Sequence, residues 1–226
     1  MTFYVTNVET RDHAAVGKVA TQAKAGVYRN YLKPIFENLL ILAALPVVLP
    51  LIAIMAFLVA LDGGNPFYSQ LRIGKGGRIF RIWKLRTMIT NADDVLEEHL
   101  AKNAEARAEW NENQKLKDDP RITTVGRILR KFSFDELPQL WNVVNGTMSL
   151  VGPRPMMVCQ QGDYLGRAYY NLRPGITGFW QVLDRNATAF SARVKHDDAY
   201  DREVSLVTDV RLLAMTFGVV VRGTGY

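Results

Sequence analysis

Between Leu39 and Leu61 the chain carries no charged, amide or hydroxyl side chain. At about 1.5 Å per residue, a helix of that length reaches roughly 34 Å, enough to cross a hydrocarbon core. Each centrally placed Leu, Ile, Val or Phe favours insertion by about 0.3 to 0.6 kcal/mol. A helix buried in a soluble core normally keeps a polar stripe, which this run lacks. A cleaved leader fits poorly too, because residues 1–38, mostly polar, come first and the run is longer than a leader's apolar stretch.

Two features constrain how this segment meets a membrane. Pro46 and Pro50 lie near its middle, and each removes a backbone donor and crowds the preceding turn, at about 3 kcal/mol in an ordinary helix interior. The second feature is charge symmetry. Arg11, Lys18, Lys24, Arg29 and Lys33 precede the run; Arg72, Lys75, Arg78, Arg81, Lys84 and Arg86 follow it. Cationic flanks stay on the cytoplasmic side, so both ends are expected there. A helix broken at a proline, entering and leaving through one leaflet, satisfies both flanks; a kinked single span is the alternative. The expected organisation is a basic lead-in over 1–33, a re-entrant anchor over 34–62, and a cytoplasmic, membrane-associated catalytic domain over 63–226.

The mean hydropathy of −0.04 averages this run with a polar remainder. A 48% hydrophobic content excludes wholesale disorder, and a single cysteine excludes a disulfide scaffold. Cys159 has no histidine nearby and reads as a packed small hydrophobe. His13, His99 and His196 are too scattered to suggest a metal cluster, and neither a Walker loop nor a dinucleotide fingerprint is present. The net charge of +6 admits nucleic acid, an anionic membrane surface or a phosphorylated substrate. Nucleic acid would call for aromatics interleaved with a basic stripe. Here the cations flank apolar sequence or proline turns, so no nucleic-acid partner is expected.

Beyond the apolar run the pattern predicts an α+β, mostly helical domain with a small β-hairpin and amphipathic interfacial helices. Phe67 to Ile73 and Ile79 to Thr87, parted by a glycine-rich turn, read as the hairpin. Asn91 is expected to cap one long, largely solvated helix to about Leu116. Short helices follow over 124–132 and 136–145, the second with Leu137, Leu140, Trp141 and Val144 on one face. Pro153, Pro155 and Pro174 mark irregular chain, and the stretch from Leu206 to Val221 is amphipathic enough to lie on a membrane or against the anchor.

The segment richest in chemistry runs from Arg130 through Ser133-Phe134-Asp135-Glu136-Leu137-Pro138 to Leu140. Pro138 belongs in the first turn of a helix, placing Asp135 near its N-cap and Glu136 in that turn. Read bare, the two carboxylates cap and polarise a helix end. Alternatively, one attacks phosphorus while the other holds a metal ion. Around them Lys84 and Arg86, Arg121, Arg154 and Arg173 each lie beside a rigid turn, which lowers the entropy cost of presenting a cation to phosphate oxygens.

Those strings, with Gln70-x-Arg72-x-Gly74, Asp119-Pro120-Arg121, Gly152-Pro153-Arg154-Pro155 and Arg173-Pro174-Gly175-Ile176-Thr177-Gly178, resemble the bacterial sugar transferases, the monotopic phosphoglycosyl transferases, over roughly residues 33 to 226. The resemblance implies transfer of a sugar-1-phosphate, galactose or glucose, from a UDP-sugar to polyprenyl phosphate at the cytoplasmic face of a bacterial inner membrane. UMP would be released, and membrane lipids would be partners. It further implies Asp135 as nucleophile, Glu136 as a Mg²⁺ ligand, and Lys84, Arg86, Arg121, Arg130, Arg154, Arg173 and Arg185 as candidates for phosphate or nucleotide. The compact form that starts exopolysaccharide synthesis is the expected type, and a homodimer is compatible with it. The rival is a membrane-tethered basic adaptor without catalysis, which would need charge and an amphipathic surface but not Asp135.

Overall fold

Pro34 sits in the first turn of α1 (Lys33–Ala60), where its missing donor costs nothing. The computed structural model describes residues 26–113, 116–184 and 190–223; most of the basic lead-in, and Arg185, lie outside them. The sequence anticipates a break at Pro46 or Pro50, whereas α1 contains both prolines and continues to Ala60. Among the described residues, the helical stretch Tyr28–Ala60 alone is long and apolar enough to cross a membrane. Leu42, Val47, Ile54 and Phe57 project outward. Both ends of α1 nevertheless pack on the rest of the chain. Ile41 meets Ile82, Val143 and Met148, and Val59 meets Leu85 and Leu129.

The hairpin is present as β1 (Phe67–Ile73) and β2 (Ile79–Leu85), in antiparallel register from Phe67 opposite Leu85 to Ile73 opposite Ile79. Its turn places Gly76 and Gly77 at φ of 68° and 78°, backbone that a Cβ disfavours. The single helix expected from Asn91 to about Leu116 is instead two, α2 (Ala92–Lys102) and α3 (Ala104–Asn113). Between them Asn103 is extended, and its Oδ1 accepts from Ala106 N at 3.0 Å. That side chain starts a new helix in preference to continuing the old one. Nor is the pair merely solvated, since Leu96, Leu100 and Ala106 form a small core with Trp110.

Thr123 caps α4 (Thr124–Lys131) through Gly126 N at 2.9 Å. The helix expected over 136–145 is resolved into a 3₁₀ turn, Phe134–Gln139, and the short α5 (Leu140–Val144). The chain continues through β3 (Ser149–Val151), β4 (Met156–Met157), α6 (Ala168–Asn171), β5 (Gly175–Thr177), α7 (Phe179–Leu183), α8 (Arg193–Glu203) and α9 (Leu206–Arg222). β4 extends the hairpin sheet beside β1. β3 and β5 pair in parallel, Ser149 opposite Gly175 and Val151 opposite Thr177, where the sequence suggested irregular chain. Their approach is close enough to demand glycine: a Cβ on Gly152 would stand 2.3 Å from Arg173 O, and one on Gly175 would stand 2.1 Å from Gly152 N.

The start of α1 is fixed by buried polar groups. Glu37 accepts from Ser149 Oγ at 2.6 Å and Leu150 N at 3.0 Å, while Asp209 on α9 accepts from Tyr200 OH at 2.6 Å. On the opposite side of α9, Val207, Val210, Phe217 and Val221 form an exposed apolar stripe, the amphipathic pattern expected from sequence. The fold is therefore mostly helical, with two small sheets and one long apolar helix.

Candidate active site

Ser133 has φ 57° and ψ 24°, the one positive-φ residue other than glycine among those described. This left-handed residue reverses the chain after α4 and starts the 3₁₀ turn bearing Asp135, Glu136 and Pro138. Asp135 therefore lies inside the turn, with Ser133 in the N-cap position. β2 runs alongside and brings Lys84 to both carboxylates. Lys84 Nζ is 2.7 Å from Glu136 Oε1 and 3.4 Å from Asp135 Oδ2. Asp135 is only 8% exposed. Burial raises its pKa, the Lys84 charge opposes that rise, Glu136 adds to it, and Arg130 opposes it as well. A desolvated carboxylate steadied by two cations can attack an electrophile while its charge remains compensated.

The remaining cations divide sharply. Arg130 stays near the dyad, with Nε donating to Thr87 Oγ1 at 2.9 Å. Arg154 lines a cavity together with Glu136. Arg121 instead forms a two-point pair with Asp119, at 2.8 and 2.6 Å, and stacks 5.0 Å above Trp110. Arg86 reaches Asp62 at 2.6 Å and the carbonyls of Val59, Gly63, Asn65 and Met88. Arg173 lies 3.5 Å from Glu37. Three of the expected phosphate ligands are thus engaged in internal pairs, and Arg185 lies outside the described residues.

Two cavities meet at Leu137 and Leu140. One, of about 180 Å³, is walled by Glu136, Arg154, Thr177 and Gln181. The other, of about 350 Å³, is almost wholly apolar; Ile41, Leu45 and Ile52 of α1 face Trp83, Trp141 and Val144 across it. The smaller cavity is also lined by Phe132, Phe134, Ile176 and Val182, so both are largely apolar, and Glu136 and Arg154 bring charge to the smaller one. For a divalent cation, the described residues contain no cluster of three metal-ligating side chains. Glu136 and Asp135 offer adjacent carboxylate oxygens, a donor set that suits Mg²⁺, which commonly takes one or two carboxylates and completes its shell with substrate phosphate and water.

A family model described as bacterial sugar transferase matches residues 28–223. The chain belongs to the bacterial sugar transferase family. The enzyme is 46% identical over 198 residues to the UDP-galactose-lipid carrier transferase of Erwinia amylovora, a match covering 87% of this chain and 42% of that protein. It is 42% identical over 202 residues to the undecaprenyl-phosphate galactose phosphotransferase of Salmonella typhimurium, covering 87% and 42% respectively. With the exopolysaccharide production protein ExoY of Sinorhizobium fredii it shares 42% identity over 193 residues, 84% of this chain and 85% of the relative. The chain thus spans about two fifths of the first two relatives and most of the third.

The transferase also gathers residues that sequence reasoning did not assign to a site. Arg72 reads as one more flanking charge and Trp180 as core or interface. Yet Trp180 lies beneath Arg154, at 5.7 Å, and beneath Arg193, at 4.3 Å. The Gln70-x-Arg72-x-Gly74 string offered a signal for Arg72. No local spacing points to Arg193.

Proposed function

We propose that this protein transfers a sugar-1-phosphate, with galactose the favoured sugar, from a UDP-sugar to polyprenyl phosphate. The observation that carries this reading is the buried Asp135, paired with Glu136 and bridged by Lys84, beside a cavity that Glu136 and Arg154 line and near an apolar cavity walled by α1. The relatives' names supply the substrates: a UDP-galactose-lipid carrier transferase and an undecaprenyl-phosphate galactose phosphotransferase.

In the first half-reaction an Asp135 carboxylate oxygen attacks the sugar-bearing phosphorus. The bond from that phosphorus to the bridging oxygen breaks, and UMP leaves with the electron pair. In the second, an oxygen of the lipid phosphate attacks the same phosphorus and frees the Asp135 carboxylate, forming a lipid-linked diphosphosugar. Lys84 and Arg130 compensate charge throughout, which is where phosphoryl transfer gains most. Glu136, with Asp135 beside it, would hold Mg²⁺, which supplies charge neutralisation on the diphosphate. The apolar cavity suits the first isoprene units of the acceptor.

The same reading places the active site at the cytoplasmic headgroup level, with both ends of α1 at one leaflet and the helix bent at its internal Pro46 and Pro50 in the membrane. Cationic flanks on either side of the apolar run support this topology, as does the packing of both ends of α1 on the rest of the chain. Starting exopolysaccharide synthesis is the matching role, supported by similarity to ExoY.

The test is UMP release by the purified chain with Mg²⁺, undecaprenyl phosphate and a panel of UDP-sugars. Turnover is expected with UDP-galactose and none with Asp135→Asn. Retained turnover in that variant would overturn the nucleophile, and silence of the parent with every UDP-sugar would overturn the function.

A further inference from the structure

Three guanidiniums converge beside the dyad from distant stretches of chain: Arg72 on β1, Arg154 after β3, and Arg193 opening α8. Arg193 Cζ lies 4.3 Å from the Trp180 ring centroid and Arg154 Cζ 5.7 Å from it, so one indole carries both forks. Phe190 supports Arg193 from a second ring at 4.8 Å. Stacking of this kind fixes the guanidinium plane and leaves its edge free to donate.

The cluster is short of internal acceptors. Arg72 donates to Gln70, but its Nε is buried without a partner among the described residues, and so is the Nε of Arg193. Burial lowers the pKa of both, Arg193 to about 10, and in each the charge of Arg154 is the next cause. The nearby acids do little to satisfy them. Glu136 is engaged by Lys84, and Asp197 accepts from Tyr164 OH at 2.7 Å, with burial pushing its pKa up to about 7. An unpaired buried donor costs about 1–3 kcal/mol, and two beside a third fork are suited to an anion presenting several oxygens. A further buried atom without a partner among the described residues, Gln181 Oε1, is an acceptor and belongs to the cavity that Glu136 and Arg154 line. Donors for anionic oxygens next to an acceptor for an N–H or O–H match a nucleoside diphosphate better than a simple inorganic ion.

We infer that Arg72, together with Arg154 and Arg193 held on Trp180, forms the cradle for the diphosphate of the nucleotide-sugar donor. Arg72 and Arg193 are binding residues beyond those implied by family resemblance. The inference rests on the reading under Proposed function. It divides the site by substrate: the arginines serve the water-soluble donor, and the apolar cavity serves the lipid. Substituting Arg72 or Arg193 should therefore affect one substrate alone.

The experiment uses the full chain in lipid nanodiscs and UDP as the probe. Kd is measured by calorimetry for the parent, Arg72→Gln, Arg193→Gln, Arg72→Lys and Arg193→Lys, with thermal unfolding as the check on folding. Each glutamine variant is expected to weaken UDP binding about tenfold or more, as lost charged hydrogen bonds do. The KM for UDP-galactose should rise in parallel and the KM for polyprenyl phosphate should not. The lysine variants retain charge but not the fork, and should recover only part of the affinity. Folded variants that bind UDP as the parent does would overturn the cradle while leaving the transferase reading intact. If Arg193→Gln does not fold, parental affinity in Arg193→Lys overturns it equally. A parent that releases UMP from UDP-galactose yet shows equal KM changes for both substrates in the variants would also sink the cradle alone. A parent that neither binds UDP nor releases UMP would sink both readings.

Discussion

Lys33 Nζ lies 2.6 Å from Asp209 Oδ2, joining the first turn of α1 to the first turn of α9. The same ammonium is 2.9 Å from Glu37 Oε1, and all three side chains are nearly inaccessible to solvent. One cation thus serves two buried carboxylates. Lys33→Met would leave Asp209 without its cation and Glu37 with Arg173 alone, at 3.5 Å, and breaking a buried pair from one side costs about 3–5 kcal/mol. The expected result is a loss of that size in denaturant unfolding in detergent. An unchanged midpoint would contradict a stabilising role for Lys33 between the two carboxylates.

Under the proposed mechanism Lys84 sets the acidic limit of activity. Asp135 must be ionised to attack, and burial raises its pKa while Lys84 opposes the rise. The rate therefore falls as pH drops through that pKa. Lys84→Met removes the opposing charge, so the acidic limb of the pH–rate profile should move to higher pH, with kcat reduced about 10²–10³-fold. A limb that stayed in place would show that another group controls the ionisation.

The dyad and the hairpin are legible in the sequence because their signals are local: Pro138 fixes the turn, and two β-rich runs flank a glycine cluster. The cations are less legible. Arg86, Arg154 and Arg173 all adjoin rigid turns, yet only Arg154 reaches the site, because carbonyls at the end of α1 engage Arg86 and Glu37 takes Arg173. Proximity to a turn says that a cation is held firmly, not what it faces. The proposed diphosphate cradle is harder still to foresee, since it depends on Arg154 and Arg193 meeting at Trp180 from distant stretches of chain. The β3–β5 pair escapes notice because its strands are too short to show alternation.

Two glycine substitutions should behave in opposite ways. Gly152→Ala puts a methyl against the Arg173 carbonyl, 2.3 Å from its oxygen, with backbone on both sides. β3 and β5 would have to separate, at a cost of several kcal/mol. Gly218 lies within α9 with open space around it, so Gly218→Ala should stabilise by about 0.5–1 kcal/mol. Thermal unfolding of the two variants side by side provides the comparison, and a neutral Gly152→Ala would contradict the close approach.

Filling the apolar cavity should separate the two substrates kinetically. Val144 forms part of its wall, and Val144→Trp occupies space assigned to the prenyl chain. The KM for undecaprenyl phosphate is expected to rise about tenfold while UDP affinity stays at the parental value. Equal effects on both substrates would place the lipid elsewhere.

Arg86 has a mechanical consequence. It follows β2 directly and holds the Val59 carbonyl at 3.1 Å, in the last turn of α1, together with Asp62 just beyond that helix. In the proposed anchor, the depth at which lipid holds α1 sets the position of that carbonyl. A shift there reaches, through the Arg86 guanidinium and the Val59–Leu85 contact, a position beside Lys84, which lies against both carboxylates of the dyad. Under the proposed function, lipids that never enter the active site would still act on it, by setting how deeply the end of α1 sits.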